Sequence, residues 1–288
     1  MEEYISDNSL YIRSKNNSMI NRKMIGRVLG MLLFIELGMF LLCAGVSAGY
    51  GESDYKYFLY TCIINAVVGG LLLLYGRGAE NKMSRRDGYC VVTLSWVFFT
   101  FFGMLPFYFS GSIDTITNAF FETMSGFTTT GATILDDIES LSHGMLFWRS
   151  LTQWIGGLGI VFFTIAILPI FTTGGVQLFS AESTGVTHDR THPKINVMAK
   201  WLWTIYLVLT ISETVLLMFG GMSLFDAICQ SFATTATGGY STKQNSISYW
   251  NSPYIEYVVA IFMIVSSINF SLFLMCLKAV SYTHLRAH

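Results

Sequence analysis

Phe127-Thr-Thr-Thr-Gly131-Ala-Thr133 is a run of small, hydroxyl-bearing residues around one glycine, set between two long apolar stretches. A second run, Thr234-Thr-Ala-Thr-Gly238-Gly-Tyr-Ser-Thr242, occupies the matching place between the next two. Each follows an apolar segment, 115–127 or 223–235, that falls short of the roughly 20 residues a spanning helix needs. Segments of that length are re-entrant, core or interfacial. Glycine reaches left-handed backbone angles without steric cost, which suits a chain that must turn its carbonyl oxygens toward one axis. Rings of carbonyls can replace the water shell of a potassium ion. Two such runs in one hydrophobic chain imply a cation pore.

The rest of the chain fits a membrane solvent. Its 288 residues are 52% hydrophobic and only 12% charged, with a mean hydropathy of +0.51, whereas soluble domains carry roughly 25% charged residues. Full spans are expected near 24–49, 57–76, 88–110, 145–170, 200–221 and 254–277. The net charge of −1 gives no bulk basic character that would suit nucleic acid. The five cysteines fall in or beside apolar runs and read as small buried hydrophobes.

Orientation follows from the basic residues. With the N-terminus cytoplasmic, fourteen of the 17 Lys and Arg fall on inner segments, leaving Lys56, Arg149 and Lys243 outside. Six spans with both ends inside result, and both glycine runs face outward. The outer side holds nine acids, Glu52, Asp54, Asp114, Glu122, Asp136, Asp137, Glu139, Asp226 and Glu256. These predict an electronegative vestibule that concentrates cations at a pore mouth, with ordinary solvated loop charge as the alternative for any single residue. Asp136 and Asp137 follow the first glycine run directly.

The chain also repeats itself, as transporter folds do. Span, short helix, glycine run and span occur over 88–170 and again over 200–277. Asn118-Ala-Phe-Phe-Glu122 matches Asp226-Ala-Ile-Cys-Gln230 at an offset of 108, whereas Gly131 matches Gly238 at 107. The reading therefore places a one-residue gap between helix and loop.

These residues resemble the TrkH/TrkG/KtrB family of bacterial potassium-uptake proteins, closest to its TrkH branch. The resemblance rests on Gly126-Phe-Thr-Thr-Thr-Gly-Ala-Thr133, Trp148-Arg-Ser-Leu-Thr-Gln-Trp-Ile-Gly-Gly-Leu-Gly-Ile160 and Ala166-Ile-Leu-Pro169. It continues through Gly175-Val-Gln-Leu-Phe-Ser-Ala-Glu182, Gly221-Met-Ser-Leu-Phe-Asp-Ala227 and Ala236-Thr-Gly-Gly-Tyr-Ser-Thr242, ending near Ile268-Asn-Phe270. It implies an all-α polytopic membrane protein of repeated helix–pore loop–helix units, two here of an expected four, preceded by two extra transmembrane helices. It implies one filter glycine per unit, here Gly131 and Gly238, with Thr129, Thr130, Ala236 and Thr237 presenting carbonyls to potassium as the transported ion and no covalent cofactor. It further implies a bacterial inner-membrane homodimer working with a cytoplasmic, nucleotide-binding, TrkA-like regulatory subunit.

The expected division is a cytoplasmic arm at 1–23, two added helices at 24–80, a first unit with its cytoplasmic linker at 81–193, a second unit at 194–280 and a non-family tail at 281–288. This reading takes the chain as the N-terminal part of a longer protein. The alternatives are a non-conducting membrane assembly subunit and a sodium-dependent or proton-coupled symporter. An intramembrane enzyme would need a nucleophile–base pair or a metal cluster at membrane depth. The chain has no His-Glu-x-x-His, and the one histidine in a span is His143, near an outer edge.

Further candidates sit inside the apolar runs. Glu36 and Glu213 lie in spans, where a carboxyl is costly and is either functional or paired between helices. Asn269 either lines the pore or bridges helices. Arg149 is placed to brace a pore loop through an acid or a carbonyl. Gly156, Gly157 and Gly159 lie within a span and suit close helix packing. His188, Asp189 and His192 share one polar inner loop, where solvation or subunit contact outweighs a metal site.

Overall fold

The computed structural model describes residues 20–79, 84–159 and 195–268. All regular elements among them are helical. They are α1 (Arg22–Gly49), α2 (Tyr55–Tyr75), α3 (Arg85–Gly103), α4 (Leu105–Ser110), α5 (Ile116–Phe127), α6 (His143–Gly157), α7 (Ile195–Phe219), α8 (Leu224–Thr235) and α9 (Pro253–Ser267), with a 3-10 turn over Ser246–Trp250 before α9.

Among the described residues four segments are long and apolar enough to cross a membrane: Arg22–Gly49, Tyr55–Tyr75, Arg86–Ser110 and Trp201–Phe219. They correspond to four of the six expected spans. The far halves of the other two, expected over 145–170 and 254–277, lie outside the described residues. So do the 160–193 linker with His188, Asp189 and His192, the arm to residue 19, Asn269, Cys276 and the 281–288 tail. The third span is not one helix: α3 ends at Met104 and α4 restarts with Pro106 at its first turn, where a proline lacks the N–H that a continuous helix would use.

The helix ends fix which side is which. The backbone N–H of Asn21, before α1, donates to Asp87 Oδ1 at 2.8 Å, and Asp87 closes a capping box with Ser84 at the start of α3. The α1 and α3 starts, carrying Arg22, Lys23, Arg27 and Arg86, therefore share one end with Arg77, which follows α2. At the opposite end Glu52, in the α1–α2 turn, accepts from the His143 backbone N–H at 3.0 Å and meets Nδ1 of its ring at 2.7 Å. The N-terminus of α6 lies there. Burial at the centre converges on Trp148, which packs on Phe40 at 4.6 Å and Phe127 at 6.0 Å between ring centroids. Its indole N–H donates to the Gly103 carbonyl at 2.9 Å. One tryptophan thus ties α1, α3, α5 and α6 together. Gly156 and Gly157 let α6 close in further: a Cβ on the first would strike the Phe127 carbonyl, and one on the second would lie 2.8 Å from Ala236 Cα.

Candidate functional site

The two short helices are built alike. Thr115 caps α5 by accepting the Asn118 N–H at 3.2 Å, and Ser223 caps α8 by accepting the Asp226 N–H at 3.1 Å. Extended caps with a side-chain oxygen satisfy donors that the first turn leaves unpaired. Neither helix has a basic residue in its last turn, so the partial negative charge at each C-terminus is not cancelled locally.

Beyond the helices the backbones run in step. Thr129 N–H returns to Gly126 O at 2.9 Å and Thr130 N–H to Ser125 O at 3.0 Å; Thr237 N–H returns to Thr234 O at 2.9 Å and Gly238 N–H to Ala233 O at 2.8 Å. Thr129 and Thr237 both sit at φ +54°, a left-handed angle for a non-glycine residue, and Gly131 and Gly239 follow at +74° and +88°. Every pair is 108 apart. The one-residue gap expected between helix and loop is therefore absent: Gly131 corresponds in conformation to Gly239, and Gly238 stands where Thr130 stands. Letter matching paired the two crowded glycines, whereas the backbone pairs the two left-handed ones.

Gly131 and Gly238 nonetheless meet in space. A Cβ on Gly131 would collide with the Gly238 carbonyl oxygen. The loops of the two units are thus in direct contact at Gly131 and Gly238. Among the described residues, no hydrogen bond is donated to the carbonyl oxygens of Thr128–Gly131 or Ala236–Gly239. Thr128, Thr130, Thr237 and Gly239 are exposed, whereas Ala236 and Gly238 are buried.

A buried ion pair lies beside this contact. Glu122 on α5 is 1% exposed. It accepts from Arg149 Nε at 2.8 Å, from the Ile134 N–H at 3.0 Å and from Thr133 Oγ1 at 3.0 Å. Arg149 Nη1 donates to the Ser241 carbonyl at 2.9 Å, and its guanidinium carbon lies 3.6 Å from the Tyr240 ring centroid. Tyr240 donates its hydroxyl to the Glu122 carbonyl at 2.9 Å. The expected role of Arg149 thus takes both forms at once, an acid in one unit and a carbonyl in the other. The same geometry corrects the vestibule reading, since Glu122 is buried against an arginine and contributes no field to the mouth. Glu139 also meets a cation, Lys243, at 3.6 Å. Asp136 and Asp137 remain exposed, directly after the first loop.

The intramembrane carboxyls stand behind the short helices. Glu213 on α7 is fully buried and accepts from Thr235 Oγ1 at 3.4 Å at the end of α8. Glu36 on α1 accepts from Asn65 Nδ2 at 3.0 Å, its other oxygen facing Gly103. Each keeps one oxygen without a partner among the described residues.

Sequence reasoning assigned no role to Gln153 or Tyr240, which hold the second loop, or to the Glu52–His143 pair. A glutamine in the middle of an apolar span was the available signal for the first. Glu52 lies outside the spans. Partial burial pushes its carboxyl up, but the N–H groups of His143 and Gly144 and the His143 ring together bring it below its ordinary value. The His143 ring is stacked on Tyr50 at 3.9 Å and meets Phe225 of α8 edge-on at 4.8 Å. Among the described residues no group of three or more His, Cys, Asp or Glu gathers for a metal.

A protein-family profile described as TrkH, cation transport protein, matches residues 55–288. The Trk system potassium uptake protein TrkH of Escherichia coli K12 is 42% identical over 250 residues, covering 86% of this chain and 52% of that protein. The Trk system potassium uptake protein TrkG of the same organism is 32% identical over 252 residues, 87% of this chain and 52% of that one. Among solved structures, the potassium transporter TrkH from Vibrio parahaemolyticus matches with a TM-score of 0.75 at 35% identity, over 88% of this chain and 51% of that chain. The chain spans about half the length of the curated relatives it matches.

Proposed function

The chain belongs to the TrkH family of cation transport proteins, and from that premise we propose that it carries half of a potassium-conducting filter used for uptake across a bacterial inner membrane. One observation carries this reading: two touching loops hold carbonyls from Thr129, Thr130, Ala236 and Thr237 that no described residue occupies. A dehydrated monovalent cation needs several oxygens at once, and carbonyl dipoles supply them without a fixed charge that would trap it. The C-terminal ends of α5 and α8 add partial negative charge behind the loops.

In this reading the N-terminus and the basic helix ends face the cytoplasm and the loops face outward, which the placement of Arg22, Lys23, Arg77 and Arg86 opposite the α1–α2 turn supports. Asp136 and Asp137 line the outer mouth, and Glu213 and Glu36 brace α8 and the α1–α2 hairpin. Asn269, outside the described residues, keeps its candidacy as a pore-lining or bridging group. The division at 23, 80, 193 and 280 completes the proposal, as do a homodimer and a cytoplasmic nucleotide-binding partner, both drawn from the family resemblance.

The test is cation flux by the purified chain in vesicles. Potassium and rubidium should pass faster than sodium, and Gly131→Val should abolish the difference. Equal flux of all three ions, unchanged by Gly131→Val, overturns the filter. Potassium binding without flux assigns the chain to a second reading, a non-conducting assembly component.

A further inference from the structure

Arg149 and Gln153 lie one turn apart on α6 and share a face, yet both reach out of the first unit to hold the loop of the second. Arg149 is 3% exposed; besides its ion pair with Glu122 it donates to the Ser241 carbonyl at 2.9 Å and covers the Tyr240 ring. Gln153 is 0% exposed, and its Oε1 accepts the Tyr240 backbone N–H at 3.0 Å. That bond fixes which end of the amide is oxygen, because only an oxygen can accept from an N–H. The Nε2 end is therefore a donor. It has no partner among the described residues, lies 2.7 Å from where a Cβ on Gly238 would be, and 3.8 Å from the same point on Gly131. A buried amide donor is thus aimed at the seam between the two loops.

The second unit has no counterpart. α9, with the sequence PYIEYVVAIFMIVSS, carries neither arginine nor glutamine, and its one charge is the exposed Glu256. The position equivalent to Glu122 at the offset of 108 is the neutral Gln230, so the buried acid–base pair of the first unit has no copy on α8 and α9. A lone buried carboxylate is costly, and a neutral residue at this place on α8 avoids that cost.

We infer that Arg149 and Gln153 form a one-sided clamp that determines the alkali-cation preference of the site, Arg149 by setting the position of the second loop and Gln153 by directing a neutral N–H donor at the Gly131–Gly238 seam. This inference rests on the carbonyl-filter reading above. Preference among alkali ions depends on how many oxygens surround the ion and how strong their field is. A donor facing the carbonyls withdraws part of that field and disfavours the smaller ion, whose dehydration needs stronger ligands. A carboxylate in its place does the reverse.

Gln153→Glu is nearly isosteric and keeps an oxygen for the Tyr240 N–H while replacing the donor with an acceptor. Purified wild-type chain and variants, in lipid nanodiscs, would be titrated with potassium and with sodium, reading thermal stabilisation, and followed by hydrogen exchange over 236–242 and 125–133. Gln153→Glu should move the potassium-to-sodium affinity ratio toward sodium by about tenfold. Arg149→Lys, which keeps the charge but loses the fork, should raise exchange at 236–242 several-fold and leave 125–133 close to wild type. A purely structural role would weaken both ions equally and leave the ratio fixed. An unchanged ratio in Gln153→Glu, in a protein whose wild type binds potassium, overturns the inference, as does unchanged exchange at 236–242 in Arg149→Lys. If wild type binds neither ion, the filter reading fails and takes the preference claim with it. The exchange pattern then still reports whether α6 grips the second loop, so the two failures are told apart.

Discussion

The loop after α5 and the loop after α8 share a backbone pattern down to two left-handed residues each, but they are held by different parts of the chain. The first is tied to its own short helix, through Glu122 to Thr133 and Ile134 and through Ser125 Oγ to the Ala132 carbonyl at 2.6 Å. Thr128, Thr130 and Ala132 are exposed. The second is buried at Ala236, Gly238, Tyr240, Ser241 and Thr242 and is gripped from the neighbouring unit by α6. A repeat in sequence has become unequal in space: the first loop is the more open, and the second is held by α6 as well as by its own short helix. Internal symmetry of the main chain does not require symmetry of the side chains that fix it.

The largest expected effect is at the clamp. Arg149→Met strands Glu122 in a buried site, and breaking such a pair costs about 3–5 kcal/mol; thermal unfolding in detergent measures it. At the position matching Glu122 in the second unit, Gln230→Leu should cost much less, because it loses one 3.3 Å bond to Thr234 Oγ1 and breaks no ion pair. Comparable losses in both would break the asymmetry.

The glycines come next. Gly131→Ala and Gly239→Ala both place a side chain at a left-handed angle, which costs roughly 1–2 kcal/mol. Gly131 also meets the Gly238 carbonyl, whereas nothing lies within 4 Å of a Cβ on Gly239. Gly131→Ala should therefore be the more damaging by a clear margin in the same melting experiment, and a reversed order would contradict the interloop contact. Thr242→Val removes the 2.6 Å bond to Asp226 Oδ1 that ties the second loop to α8. A loss of about 1.5 kcal/mol is expected, typical of a hydrogen bond to a charged group. A much smaller loss would mean that α6 alone holds this loop.

The smallest effect is at the outer edge, where Glu52 and His143 join the α1–α2 turn to α6. A carboxyl lowered in the folded state adds stability at pH above its ordinary value and loses it as pH falls through its lower, folded value. Glu52→Gln should accordingly be less stable than wild type at neutral pH, with the two melting curves converging on acidification below the ordinary glutamate range. A constant gap across that range would show that the carboxyl's charge plays no part.

Much of this architecture was readable in the sequence. Hydropathy placed the short helices at 115–127 and 223–235, and the structure has them at Ile116–Phe127 and Leu224–Thr235, because caps at Thr115 and Ser223 begin them and the small residues after Phe127 and Thr235 end them. The misplaced gap arose from treating a glycine as a marker of one conformation. Gly238 is glycine because the Gln153 side chain occupies the space beside it, and that crowding comes from a residue 85 positions earlier in the chain. Glu122 was misassigned to the vestibule for a similar reason. Its partner is on a different helix, and periodicity within one element cannot report a pair formed between two. Tyr240 carried no assigned role, although its ring and hydroxyl join both units.

The touching α-carbon of Gly131 and carbonyl of Gly238 leave no space for even one methyl group between the two copies of the repeat. A heavier residue at Gly131 would press on main chain of the second copy, and one at Gly238 would press on Gln153 of the first, so neither position can gain bulk without displacing the other half.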